Sequence, residues 1–446
     1  MYRRARDLYA STGRDGTLVR AVVGSAGLRF VGMGLGFLVG VQLARALGPS
    51  GYGIYGIAMS LTSIAMIPTE LGLSQLVTRE AAIAEAAGDR SKIRSLLAWT
   101  FRFVLSNTLG VAALGLIGLL AFGPQLHGQL QSALIWGAAL LPVVAISGAC
   151  SSALRGMQHV VKGQLPELLL RPGLVSLALF AFWISGNARE LTPALAMALN
   201  LLAACIGVGC VAIWLAPYLR GVKSAPLALS ERKRWLRSTI PLALGEGMRI
   251  VSGNLAILAL GLLAAPAEVG LYRVAAGVYT AATLPSALLN VACSPMLASL
   301  NAEGKTAAIQ RVNAWMALLL VLAATLCLIP FLLAGKSILS FAFGDGYATA
   351  NTILVILLAG ELGSAFLGHP TIVLNMLHHE KTVTRFALIA LIINLASCAC
   401  LIPFYGAIGA ALGVVLSQFV WRLLCRTYAK RALGLESSLL AWRRLR

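Results

Sequence analysis

The chain is poor in charge: Asp, Glu, Lys and Arg make up only 12% of its 446 residues, and just 16 residues are acidic. An ordinary soluble protein carries about 25%, so a water-facing surface is not expected from this composition. Histidine is scarce, with five in the chain, and none forms H-E-x-x-H. G-x-S-x-G and D-x-D are also missing, which leaves no visible catalytic apparatus. Gly304-Lys305-Thr306 and Gly335-Lys336-Ser337 resemble the ends of phosphate-binding loops. The earlier glycine that such a loop needs is replaced by Ser299 and Pro330, so no built-in ATPase is expected. The eight cysteines lie in apolar runs, and the closest pair, Cys398 and Cys400, lacks C-x-x-C spacing. Neither a metal site nor a cofactor is expected.

What the chain has in abundance is apolar sequence, 59% of residues, with a mean hydropathy of +0.83. At about 20 residues per crossing, hydropathy divides it into twelve spans: 21–46, 53–77, 96–122, 132–153, 166–185, 192–217, 239–264, 270–298, 313–334, 349–375, 384–402 and 407–425. The expected fold is an all-α polytopic membrane protein. Twenty polar and basic residues precede the first span with no small-residue cleavage site, so the first helix is expected to stay. The loops are too short for a soluble catalytic domain, which puts the function inside the bundle.

The formal charge of +20 would suggest nucleic acid in a soluble chain. Here its placement decides otherwise. Basic residues gather in the 1–20 tail, around Arg90 and Lys92, at Arg155 and Lys162, in the 218–238 linker, near Lys305 and Lys381, and in the 426–446 tail. Segments on the opposite side hold only Arg189 and Lys336. The positive-inside rule then puts both termini in the cytoplasm, and the basic C-terminal end could also lie on an anionic leaflet.

An internal repeat stands at an offset of 217. Pro49 meets Pro266, Gly53 meets Gly270, Tyr55 meets Tyr272, Pro68 meets Pro285 and Gly36 meets Gly253. The offset covers six spans, an even number, so the halves enter the membrane in the same direction. Two parallel six-helix bundles, 21–217 and 239–425, are expected around a central cavity. Pro68 and Pro285 read as mid-span kinks, candidate gating points. Gly32, Gly36 and Gly40 form a small-residue face for helix contact.

Ionisable residues inside spans are costly and mark sites by default. Arg29 aligns with Glu246, one turn before Arg249, so the first helix of each half carries an arginine at similar depth. Two such arginines would make a basic cavity suited to phosphate or pyrophosphate, with Arg102 and Arg273 as further candidates. Glu70, Glu246 and Glu361 are the carboxylates that could couple an ion or gate the cavity. The pairs Glu167/Arg171 and Glu246/Arg249 could instead neutralise themselves.

The stretch "ARALGPSGYGIYGIAMSLTSIAMIPTELGLSQLVTREAA", residues 44–82, resembles the signature of polysaccharide-type flippases of the multidrug/oligosaccharidyl-lipid/polysaccharide exporter superfamily. Leu47-Gly48-Pro49, Tyr52-Gly53, Tyr55, Leu71-Gly72-Leu73 and Arg79-Glu80 carry the likeness, and "ALRGMQHVVKGQLP" at 153–166 is similar to the family's loop after the fourth helix. The resemblance implies a transporter, not an enzyme. It would flip an undecaprenyl-pyrophosphate-linked oligosaccharide across the bacterial inner membrane for O-antigen or exopolysaccharide synthesis. Implied partners are that lipid-linked substrate, the bilayer, and glycosyltransferases and a polymerase of the pathway. The two extra C-terminal helices of some relatives are not found here. An ion-coupled drug exporter and a membrane enzyme or scaffold of polysaccharide assembly remain the alternatives.

Overall fold

In the computed structural model, residues 14–122, 128–186, 190–222 and 229–438 are described. The expected basic tail over residues 1–13, the last residues 439–446, and Lys223 and Arg189 lie outside them. Among the described residues the secondary structure is helical throughout. The helices are α1 (Arg14–Glu70), α2 (Leu73–Ala86), α3 (Arg90–Phe122), α4 (Gly128–Gly156), α5 (Val160–Leu165), α6 (Arg171–Ile184), α7 (Pro193–Leu219) and α8 (Leu229–Leu263), then α9 (Pro266–Ala282), α10 (Leu284–Ala302), α11 (Thr306–Phe343), α12 (Ala350–Ala365), α13 (Pro370–Met376) and α14 (Glu380–Leu433). A π-helical turn, Pro166–Leu170, joins α5 to α6.

Nine of these helical stretches are long and apolar enough to cross a membrane, or ten when the α12–α13 pair, bent by 53°, is taken as one span. Two of them are double. α1 breaks at Gly48 (φ 65°, ψ 177°) and α14 at Gly406 (φ 53°, ψ −131°), each in backbone that L side chains rarely adopt. Splitting both brings the number of crossings to the twelve read from hydropathy. Leu262 and Phe341 are each 85% exposed. Side chains of that kind on a long helix fit a hydrocarbon solvent.

Of the two prolines read as mid-span kinks, one needs correcting. The second span stops at Glu70, where Leu71 (φ 43°) and Gly72 (φ 72°) turn the chain into α2, so Pro68 lies in a last helical turn. Pro285 opens α10 after a break at Thr283. Pro266–Ala302 is nonetheless a single candidate span, so this break falls mid-span and Pro285 stands beside it as expected from sequence, whereas Pro68 does not lie mid-span.

The chain forms two compact units, one drawn from Met1–Leu47 and Ala58–Val251, the other from Gly48–Ile57 and Ser252–Arg446. In the first, α4 presents a buried seam of small residues, including Gly137, Ala145, Gly148, Ser152 and Gly156. A side chain at Gly156 would meet the Thr78 carbonyl of α2, so only glycine permits this approach. Leu73, Leu76 and Val77 of α2 pack there with Leu96, Val104, Ala153 and Trp235. Buried Glu80 binds Arg79 at 3.1 Å and Arg234 at 3.4 Å, which ties α2 to α8. Of the glycine stripe on α1, Gly32 abuts Leu168 in the π turn, whereas Gly36 faces open space.

In the second unit the repeat becomes a physical contact. A Cβ on Gly53 would strike the Pro266 carbonyl, and one on Gly270 would strike the Pro49 carbonyl. Residues paired by the 217 offset thus cross face to face, each glycine against its counterpart's proline. Tyr52 and Tyr55 stack at 6.2 Å and hold the Arg273 guanidinium at 5.0 and 4.9 Å from their ring centres. At the Gly406 break, Ala407 N–H donates to Glu268 Oε2 at 2.9 Å, capping the restarted helix.

A second recurring device went unseen in the sequence. Gln158 (φ 67°) and His378 (φ 62°) occupy matching turns before α5 and α14. The next residue in each is a histidine bonded to a tyrosine of its own bundle, His159 to Tyr218 at 2.6 Å and His379 to Tyr428 at 3.3 Å.

Candidate substrate cavity

The first unit holds an open cavity of about 600 Å³, within the range that holds small ligands. Its charged lining comes from Arg29 and Glu70 on α1, Arg79 on α2, Arg155 on α4 and Glu246 on α8. Gln75, Thr78 and Gln164 add neutral polar groups. Three guanidinium groups face two carboxylates, so the lining is basic overall. Each arginine brings a planar fork of donors matched to phosphate oxygens.

These side chains converge for identifiable reasons. The Leu71–Gly72 turn sets Glu70 at the end of α1 and starts α2 with Ser74, Gln75 and Thr78 on the cavity side. Arg155 is in the last turn of α4, where a cation suits the helix dipole. Its Nη2 donates to Ser152 Oγ at 2.6 Å, while its Nε is buried without a partner. The π turn places Glu167 opposite Gly148. A methyl there would lie 3.3 Å from Glu70 Oε1, 3.6 Å from Glu167 Oε1 and 3.6 Å from Ser74 Oγ. Glycine at 148 therefore leaves room for two carboxylates from different helices to approach one another.

The sequence-derived candidates separate by position. Arg29, Glu70 and Glu246 share the cavity lining. Arg249 stands beside it, paired with Glu246 one turn away, its Nε donating at 3.2 and 3.1 Å. Arg102 is exposed on α3 and is not among the lining residues. Arg273 belongs to the tyrosine clamp of the second unit. Glu361, 6% exposed, also lies in the second unit. Arg422 Nη2 donates to its two oxygens at 2.8 and 3.0 Å, and the Tyr279 hydroxyl is 3.0 Å from Glu361 Oε2 and 3.0 Å from Gln418 Oε1. Arg79 and Arg155 were missed as lining residues because hydropathy puts them in loops. The usable signal was their place in the two stretches that carry the family likeness.

Residues 18–301, well over half of the chain, match the family model described as polysaccharide biosynthesis protein. The chain belongs to this family. Solved structures agree with the fold at low identity. A multidrug resistance MATE family transporter of the MOP superfamily, in an inward-facing conformation, has a TM-score of 0.73 at 13% identity, over 90% of this chain and 94% of that one. The lipid II flippase MurJ, in an inward closed conformation, has a TM-score of 0.71 at 13% identity, over 91% of this chain and 87% of that one. A MOP superfamily transporter from Pyrococcus furiosus, with a binding pocket of reversed polarity, has a TM-score of 0.59 at 14% identity, over 93% and 96%. Comparison with curated proteins finds no match. This member of the polysaccharide biosynthesis family is thus a multi-pass membrane protein with the two-bundle fold of MOP-type flippases and exporters.

Proposed function

We propose that the protein flips an undecaprenyl-pyrophosphate-linked oligosaccharide from the cytoplasmic to the periplasmic leaflet of a bacterial inner membrane. Both termini are cytoplasmic in this reading, and the six-helix halves 21–217 and 239–425 alternate access to the substrate. The observation that carries it is the cavity of the first unit, where Arg29, Arg79 and Arg155 converge within a membrane-spanning bundle. A pyrophosphate pays a large desolvation penalty in hydrocarbon. A hydrated pocket with guanidinium donors removes much of that penalty while the prenyl chain stays in lipid. Arg249 contributes through Glu246, which it holds, while Arg102 and Arg273 act elsewhere.

The carboxylates divide the remaining work. Glu70, close to Glu167 and facing the arginines, is the coupling candidate, and Glu246 serves with it at the cavity wall. Glu361, already held by Arg422 and Tyr279, acts as a brace in this account. An exporter of organic cations would be poorly served by three arginines, which favours the anionic lipid over that alternative.

The test is the location of the lipid-linked oligosaccharide in cells lacking the protein, read with a membrane-impermeant glycan-modifying probe on spheroplasts. Flipping predicts intermediate shielded from the probe that becomes accessible on re-expression. Unchanged accessibility together with shortened polymer would refute the proposal and favour an enzyme or scaffold.

A further inference from the structure

The first unit carries a second concavity, of about 360 Å³, formed between α1 and α6. Leu38 and Gln42 of α1 and Leu179, Phe180 and Trp183 of α6 line it, together with Arg45 of α1. Leu179 is buried at its floor, whereas Trp183 is 69% exposed at the rim, its ring stacked on Phe180 at 6.1 Å. Gln42 Nε2 reaches the Ser176 carbonyl at 3.4 Å, and its Oε1 is buried with no donor.

This concavity is separate from the substrate cavity. Sixteen residues along one helix separate Arg29 from Arg45, a rise of about 24 Å and a turn of about 160°. The two arginines therefore occupy nearly opposite faces of α1. Arg45 lies three residues before the Gly48 break and Trp183 one residue before the end of α6. These are the ends of the first and fifth crossings, which an alternating path brings to the same membrane face. Arginine and tryptophan at that level are interfacial anchors, with an apolar body in the chains and a polar tip at the headgroups.

We propose that this concavity is a binding site for an anionic glycerophospholipid of the bilayer. One acyl chain fills the apolar groove against Leu179 and Phe180, and the headgroup phosphate accepts hydrogen bonds from Arg45. A dry apolar hollow forfeits dispersion contacts along its lining, and a chain from the surrounding lipid restores them. Arg45 already has an interaction within the protein, but a guanidinium carries five donors and serves more than one acceptor. Charge complementarity selects an anionic lipid over a zwitterionic one, whose amine would be brought towards the same cation. The face opposite Arg29 selects a resident bilayer lipid over the transported substrate.

The full-length protein in nanodiscs of phosphatidylethanolamine, doped with phosphatidylglycerol bearing a photoreactive acyl chain, tests the site. Crosslinks are expected on the peptides 34–47 and 171–186, displaced by unlabelled phosphatidylglycerol and not by phosphatidylethanolamine. Arg45→Gln should weaken capture about tenfold, the cost of a lost charge-assisted hydrogen bond, while Arg45→Lys retains the anionic preference. Equal displacement by the two phospholipids would overturn the proposal. So would better displacement by undecaprenyl phosphate than by phosphatidylglycerol. The displacement series uses the unmodified protein, so neither outcome depends on how a variant folds.

Discussion

Replacing Gly53 with alanine should strain the crossing between the paired repeat segments. The added Cβ would meet the Pro266 carbonyl closer than any real Cβ contact, with the backbone nitrogen of Gly270 at 3.1 Å. Both are main-chain atoms, so relief requires a shift of a helix. Overpacking of this kind costs about 1–3 kcal/mol, against a gain of about 0.5–1 kcal/mol for alanine over glycine within a helix. A net loss of about 1–2 kcal/mol follows. For a cooperative unit of roughly 200 residues, that lowers the melting temperature by about 2–8 °C. Gly270→Ala, against the Pro49 carbonyl, should behave alike, and the double variant should cost less than the sum because one displacement relieves both clashes. Gly34→Ala on α1, with nothing within 4 Å of its Cβ position, is the control and should be neutral or stabilising. Thermal melts of the detergent-solubilised protein decide the matter. Equal melting temperatures for Gly53→Ala and Gly34→Ala would refute the crossing as a tight contact.

Two further outcomes follow from buried ion pairs in the second unit. Glu361→Ala leaves Arg422, whose side chain is 12% exposed, without its counter-charge. The expected cost is about 3–5 kcal/mol, with partial recovery in Glu361→Gln/Arg422→Gln, and equal stability of Glu361→Ala and the parent would contradict the brace. After α14 the chain turns at Gly434 and buries Glu436 beside Arg426 Nε at 2.7 Å, Ser438 Oγ at 2.8 Å and Lys430 at 3.7 Å. Burial alone would raise its carboxyl pKa, but the hydrogen bonds from Arg426 and Ser438 and the two nearby cations hold it below the ordinary glutamate range. Its stabilising contribution is therefore present above the unfolded value of about 4.3 and is lost as pH falls through the lower folded value. Melting curves from neutral to acidic pH should show this loss in the parent and a smaller one in Glu436→Gln.

Much of the architecture was legible because a membrane span demands a long apolar run and each break demands a particular residue. The twelve crossings, the breaks near 48 and 406 and the 217 offset all rest on such demands. The helix that includes Pro68 proved harder, because the residues that end it, Leu71 and Gly72, are apolar or small and leave no mark in hydropathy. The lining of the candidate cavity was legible in part. Arg29, Glu70 and Glu246 stood out as charges within apolar runs, whereas Arg79 and Arg155 lie where a run fades into a basic segment and look like ordinary positive-inside residues. Only the turn after Glu70 and the end of α4 bring them back to the cavity. Arg273 carried the same intramembrane signal as Arg29, yet its surroundings are two tyrosine rings, a difference that depends on tertiary contact.

Transport itself is most directly measured in proteoliposomes containing the purified protein and an undecaprenyl-pyrophosphate-linked oligosaccharide accessible to a glycan-cleaving enzyme on one side. Protein-dependent transfer between leaflets is expected, reduced by at least about tenfold in Arg29→Gln/Arg155→Gln as two charge-assisted phosphate contacts are lost. Transfer at the parent rate in that variant, with the same amount of folded protein, would contradict the basic cavity as the headgroup site.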